Sequence, residues 1–143
     1  NMVLENSNYN KMKKPLNLYF VLLFLGLTFS STVYAEWKYI SQTNDLSKYY
    51  VDTDKIIKKD KLIYYWELTD YPDEGGYGYL SDVTRVVVDC ELNKYKNLQI
   101  TNYKGAMGTG NVTGSGQISK TWIYPLPNSI KETTTTFVCK LIK

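Results

Sequence analysis

The sequence predicts a mainly β domain of the α+β class, built from short strands with one helix candidate at its C-terminal end. Three observations predict it. Bulky residues alternate between two faces in residues 61–69 and 80–90, the period of a β-strand. Turn-forming residues cluster between such runs, at 70–79 and 105–116. The third is a helix-start signal near the C-terminus, where Ser129 precedes Glu132 at the spacing of a capping box and Pro127 stands just upstream.

The limits of that domain come from the N-terminal quarter. Met12-Lys13-Lys14 is a basic start, Leu18–Leu27 is a run of ten residues without charge, and Ser30–Ala35 is a polar end. Val33 and Ala35 occupy the −3 and −1 positions of a peptidase site, so residues 12–35 read as a secretory signal cleaved between Ala35 and Glu36. A membrane anchor is the rival reading, but a spanning helix needs about 20 apolar residues, and hydroxyl and small residues follow directly after Phe29. Residues 1–11 are rich in Asn and Lys, lack apolar periodicity, and read as an upstream extension outside the fold. No cysteine lies near the Ala35–Glu36 junction, so no lipid anchor is expected there and no membrane span after cleavage.

Cleavage leaves residues 36–143, enough for one domain with a modest core. That part carries 14 Lys plus Arg against 13 Asp plus Glu, a net charge of +1. The +3 of the whole chain therefore sits mostly in the leader, and nothing in it points to nucleic acid.

The elements follow in order. Trp37–Ile40 is a first strand, and Tyr49–Asp52 a second beyond the polar turn Ser41–Lys48. Asp52-Thr53-Asp54 offers capping side chains for a short turn at Lys55–Ile57, and Asp60-Lys61 is a hairpin tip. In the strand Lys61–Thr69, Leu62, Tyr64, Trp66 and Leu68 share one face and Ile63, Tyr65 and Glu67 the other. Bulk on both faces predicts a central strand partly covered on each side. Asp70–Tyr79 is a loop, with Pro72, Gly75, Gly76 and Gly78 breaking the pattern and Tyr71, Tyr77 and Tyr79 decorating it. In Leu80–Cys90 the drier face carries Thr84, Val86, Val88 and Cys90, so Cys90 is expected in the core. Asn97–Tyr103 is a further strand with Leu98 and Ile100 inward. Gly105–Gly116 lacks the spacing of a dinucleotide fingerprint or a P-loop and reads as a hairpin or bulged edge strand. For the segment from Ser129, Ile130, Thr134, Phe137 and Leu141 line one side of a helix with Val138 beside them. The Thr133–Thr136 run argues for a strand instead. A helix lying across the sheet brings Cys139 to Cys90, which favours the helix.

The chain has no histidine, which removes the commonest general base and metal ligand. Acidic pairs such as Asp52/Asp54 and Asp73/Glu74 are too few for a calcium loop. Neither an enzyme, a cofactor nor a metal site is expected. Cys90 and Cys139 are 49 residues apart. In an oxidising compartment such a pair is most simply a disulfide, worth up to about 4 kcal/mol by loop entropy. Two buried thiols or a redox pair are the alternatives, although redox pairs are usually closely spaced.

Read end to end, the landmarks resemble the bacterial surface-adhesin protein E family. They are Trp37, Tyr49-Tyr50-Val51-Asp52, Trp66-Glu67-Leu68-Thr69-Asp70-Tyr71 and Tyr79-Leu80-Ser81. Asp89-Cys90, the Gly108/Gly110 turn, Trp122, Pro125, Pro127-Asn128-Ser129 and Cys139 complete the order. The resemblance implies an antiparallel sheet of about six strands, a C-terminal helix packed on it, and a Cys90–Cys139 disulfide tying the two. It also implies protein partners, namely host extracellular-matrix or serum proteins such as laminin, vitronectin or plasminogen, and a second copy of the chain. Asn128 departs from the pattern, standing where a small residue such as Gly is expected.

The expected role is therefore an exported surface or envelope protein that binds through an exposed strand edge and the tyrosine loop. Tyr71, Tyr77, Tyr79 and Lys104 are the candidate partner-binding residues. The alternative is a periplasmic structural or assembly factor acting on another envelope protein. Tyrosines that pack under their own loop are the plainer reading of the same residues.

Overall fold

A computed structural model describes residues 36–119 and 121–142. The expected extension and signal, residues 1–35 with Ala35 at the cleavage junction, lie outside the described residues.

The described residues form one antiparallel sheet and one helix. The strands are β1 (Trp37–Gln42), β2 (Lys48–Asp52), β3 (Ile57–Lys59), β4 (Leu62–Asp70), β5 (Ser81–Asp89), β6 (Lys94–Tyr103) and β7 (Val112–Gln117), followed by helix α1 (Ile130–Leu141). The sheet order is β1-β2-β4-β5-β6-β7, with β3 pairing on β4. Seven strands stand where about six were expected. The extra one is β3, formed where Asp52 accepts a hydrogen bond from the Asp54 N–H and turns the chain through a single 3-10 turn, Thr53–Lys55. Asp60, at φ 55°, then reverses the chain and pairs Ile57–Lys59 with Leu62–Tyr64.

The alternation in β4 sorts the sheet into two faces. On one, Ile63 and Tyr65 join Val51, Val86, Val88 and Val138 in the core. Cys90 and Cys139 flank this cluster and are bonded to each other, with Cα atoms 5.8 Å apart. Helix α1 covers this face, packing against β1, β2 and β4. On the opposite face Leu68 is fully buried and Val87 nearly so. There the turn at Ala106–Gly108 covers Leu68 and Val83, and a Cβ on Gly108 would stand 3.2 Å from Val83 and 3.4 Å from Leu68. Its φ of 71° also requires glycine, so Gly108 fits on two counts.

Helix α1 starts at the capping box. The Ser129 side chain accepts from the Glu132 N–H, and the Glu132 carboxylate reaches back to the Asn128 N–H at 2.7 Å. Asn128 sits at φ 60°, the left-handed conformation that Gly or Asn adopts, which accounts for the departure at this position. The threonine run is accommodated because its hydroxyls bond back to helix carbonyls. Thr135 donates to Lys131 at 2.8 Å and Thr133 to Ser129 at 3.2 Å. Thr134, Thr135 and Val138 form the buried stripe. Leu141, expected on that stripe, is 49% exposed, and Ile142 packs against the core instead.

A second difference lies in β6. The β5–β6 register skips Leu98, pairing Val86 with Asn97 and Arg85 with Gln99. This bulge places Asn97 and Ile100 on the helix-covered face. Leu98 instead lines a cavity with Lys96 and Gln117, and neither Leu98 nor Ile100 is fully buried.

Candidate functional site

The β4–β5 connection, residues 71–80, carries the three candidate tyrosines. The Tyr71 N–H donates to the Leu80 carbonyl at 2.9 Å and closes the base of the loop. The Tyr71 hydroxyl donates to the Asp82 carboxylate at 2.6 Å. Burial is the main cause that lifts the Tyr71 phenol well above its ordinary range, with the hydrogen bond to Asp82 adding to it. Tyr71 therefore stays a neutral donor. Burial likewise raises Asp82 above its ordinary 3.8, opposed by hydrogen bonds from Tyr71 and Thr84.

An aromatic ladder runs outward from this anchor. Tyr71 meets Tyr79 edge-on at 5.7 Å, and Tyr79 meets Tyr77 at 5.8 Å. Exposure rises along it, from the half-buried Tyr71 and Tyr79 to Tyr77 at 71% exposed. The tip is held by two turns, in which Gly75 donates to the Asp73 carboxylate at 2.7 Å and Tyr77 to the Glu74 carbonyl at 2.7 Å. Lys104, just past β6, spans the loop. Its ammonium lies 2.8 Å from Glu74 and 3.4 Å from the Gly78 carbonyl.

The four candidate residues are thus brought to one place, but in different situations. Tyr71 is tied inward, Tyr79 is sandwiched, the Lys104 charge is met by Glu74, and Tyr77 presents its ring to solvent. Behind them, the Met107 N–H donates to Asp70 at 2.7 Å, and Ser81 bridges Gly105 and Gly108. Sequence reasoning missed Asp82 and Ser81, the two buried groups that hold the loop and the glycine turn. A polar residue at each position of an apolar strand was the available signal.

Three carboxylates of the sheet make structural contacts. Glu67 accepts from Tyr65 at 2.9 Å and from Thr134 at 2.6 Å, and pairs with Lys131. Asp52 caps a turn, and Asp89 accepts from Glu91 and Leu92. Among the described residues no three metal-ligating side chains gather. No described helix is long and apolar enough to cross a membrane.

Comparison with solved structures finds protein E of Haemophilus influenzae, in its crystal form II. The TM-score is 0.58 at 14% identity, covering 72% of this chain and 87% of that one. The likeness is one of fold. No curated protein matches the sequence. The family model for surface-adhesin protein E matches residues 37–140, which spans every strand and nearly all of the helix described above. The chain belongs to the surface-adhesin protein E family.

Proposed function

We propose that the protein is exported by cleavage after Ala35 and acts as an adhesin, binding host extracellular-matrix or serum proteins such as laminin, vitronectin or plasminogen. Family membership supports a non-enzymatic, adhesin-like surface protein. The observation that carries the finer reading is Tyr77, an aromatic ring 71% exposed at the tip of a loop whose base is fastened. A fastened loop loses little entropy when a partner covers it, and tyrosine supplies contact area with few rotatable bonds. Lys104 and Glu74 form the polar rim, while Tyr71 and Tyr79 keep the ring in place from below.

The test is binding of the purified protein to immobilised laminin, vitronectin and plasminogen. Wild type is expected to bind at micromolar levels or better. Tyr77→Ala is expected to weaken binding about tenfold or more, the scale of an interface hot spot, with an unchanged melting temperature. Absence of binding to all three proteins overturns the reading, and undiminished binding by Tyr77→Ala removes the loop from it.

A further inference from the structure

The face of the sheet turned away from α1 carries a second arrangement, separate from the tyrosine loop. Paired residues in an antiparallel sheet share a face. Trp66 pairs with Arg85, Tyr64 with Val87, Val87 with Lys96, and Asp89 with Lys94. These residues therefore lie opposite Tyr65, Val86 and the helix. The Arg85 guanidinium sits over the rings of both Tyr64 and Trp66, at 5.9 and 5.8 Å. Lys94 and Lys96 both sit against the Trp122 ring, at 5.0 and 4.4 Å. Four of the five cation–π contacts among the described residues are on this face.

The charge balance there is one-sided. Asp89 faces Lys94 at 4.0 Å, and its carboxylate is also engaged by the turn after β5. Arg85 and Lys96 form ion pairs with none of the described carboxylates. Stacking on rings holds these cations in place without neutralising them, so their N–H groups stay available to an anion. Beside Lys96 lies an open cavity of about 550 Å³, lined by Lys96, Leu98, Gln117, Ile118 and Ser119. It joins a cation, an amide and a hydroxyl to two aliphatic walls. The Leu98 bulge turns one of those walls into the cavity.

We propose that this face binds an anionic polysaccharide, a glycan carrying sulfate or uronate groups. Arg85 and Lys96 take its charges, Trp122 holds Lys94 and Lys96 in place, and the cavity seats a sugar ring. The cavity chemistry selects the occupant. A sugar ring has hydroxyls on its edge and C–H groups on its faces, matching Gln117 and Ser119 beside Leu98 and Ile118. An acidic peptide laid over Arg85 would find no backbone partners on β4, β5 or β6, which are paired on both sides. The free edge at the cavity is that of β7, and an acidic peptide competitor tests it. Nucleobases need several open ring faces, and Arg85 occupies faces of Tyr64 and Trp66. The inference goes beyond the protein-binding role proposed for the Tyr77 loop and uses different residues.

Titration of the purified protein with a heparin-derived oligosaccharide tests it, with poly-glutamate and oligo-thymidylate of matched charge as competitors. The glycan is expected to bind more tightly than either competitor, and more weakly as salt rises. Lys96→Gln and Arg85→Gln should each weaken it about tenfold, the loss of one charge-assisted contact. Thermal melts check that each variant is folded. Tyr77→Ala should leave glycan affinity unchanged, so this site and the loop fail or stand separately. No glycan binding, unchanged binding by both charge variants, or competitors that bind as tightly as the glycan would each overturn the proposal.

Discussion

The pairing of Tyr71 with Asp82 shows how one buried residue sets what a loop can present. Asp82 is 5% exposed, has no cation within ion-pairing distance among the described residues, and takes its stabilisation from hydroxyls, chiefly those of Tyr71 and Thr84. Desolvation wins over those hydrogen bonds, so its pKa in the folded chain is raised above 3.8. The folded state then holds this proton more tightly than the unfolded state. Stability from this group is greatest at low pH and is lost as pH rises from about 3.8 through the raised folded value. Asp82→Asn removes the ionisation and keeps a carbonyl to accept from Tyr71. Melting curves at pH 7 and pH 4 should show the variant at least as stable as wild type at pH 7, with the advantage shrinking on acidification. A variant that melts well below wild type at pH 7 contradicts this account. None of this was readable from the tyrosines alone. Tyr71, Tyr77 and Tyr79 look equivalent in sequence, and only the long-range contact to Asp82 separates the anchor from the exposed ring.

At the level of elements, local pattern carried most of the fold. The period-two alternation of Leu62–Thr69 placed Ile63 and Tyr65 together, and the same period in β5 aimed Cys90 at the core. The capping box located the start of α1 at Ser129, although propensity left that segment balanced between helix and strand. What local pattern missed depended on pairing. Strand β3 pairs along the edge that β4 offers it, and the Leu98 bulge shows only in the register of β6 against β5. Helix and sheet are joined by the Glu67–Lys131 pair at one end and Cys90–Cys139 at the other. The disulfide closes a loop with a sequence separation of 49, for which chain entropy predicts about 4 kcal/mol. Replacing both cysteines with serine should lower the melting temperature by at least several degrees and expose the C-terminal segment to proteolysis first. An unchanged melting temperature, or two free thiols in the exported protein by mass analysis, contradicts that assignment.

Over the described residues, the sheet has one face covered by the helix and one covered only in part. The helix, core and disulfide occupy the first, while the second displays aromatic and cationic side chains, and the tyrosine loop projects from one end. Family membership makes this a surface adhesin-like protein, and its small core is consistent with a domain that depends on a covalent staple. The protein-binding reading and the glycan-binding reading both require the domain to stand outside the cell. That requirement is the central claim, and it is tested by labelling intact cells that express the native chain with a membrane-impermeant amine reagent. The exposed lysines of the domain should be modified as fully in intact cells as in cells with a permeabilised outer membrane. Modification that appears only after permeabilisation would place the protein in the periplasm and contradict the account.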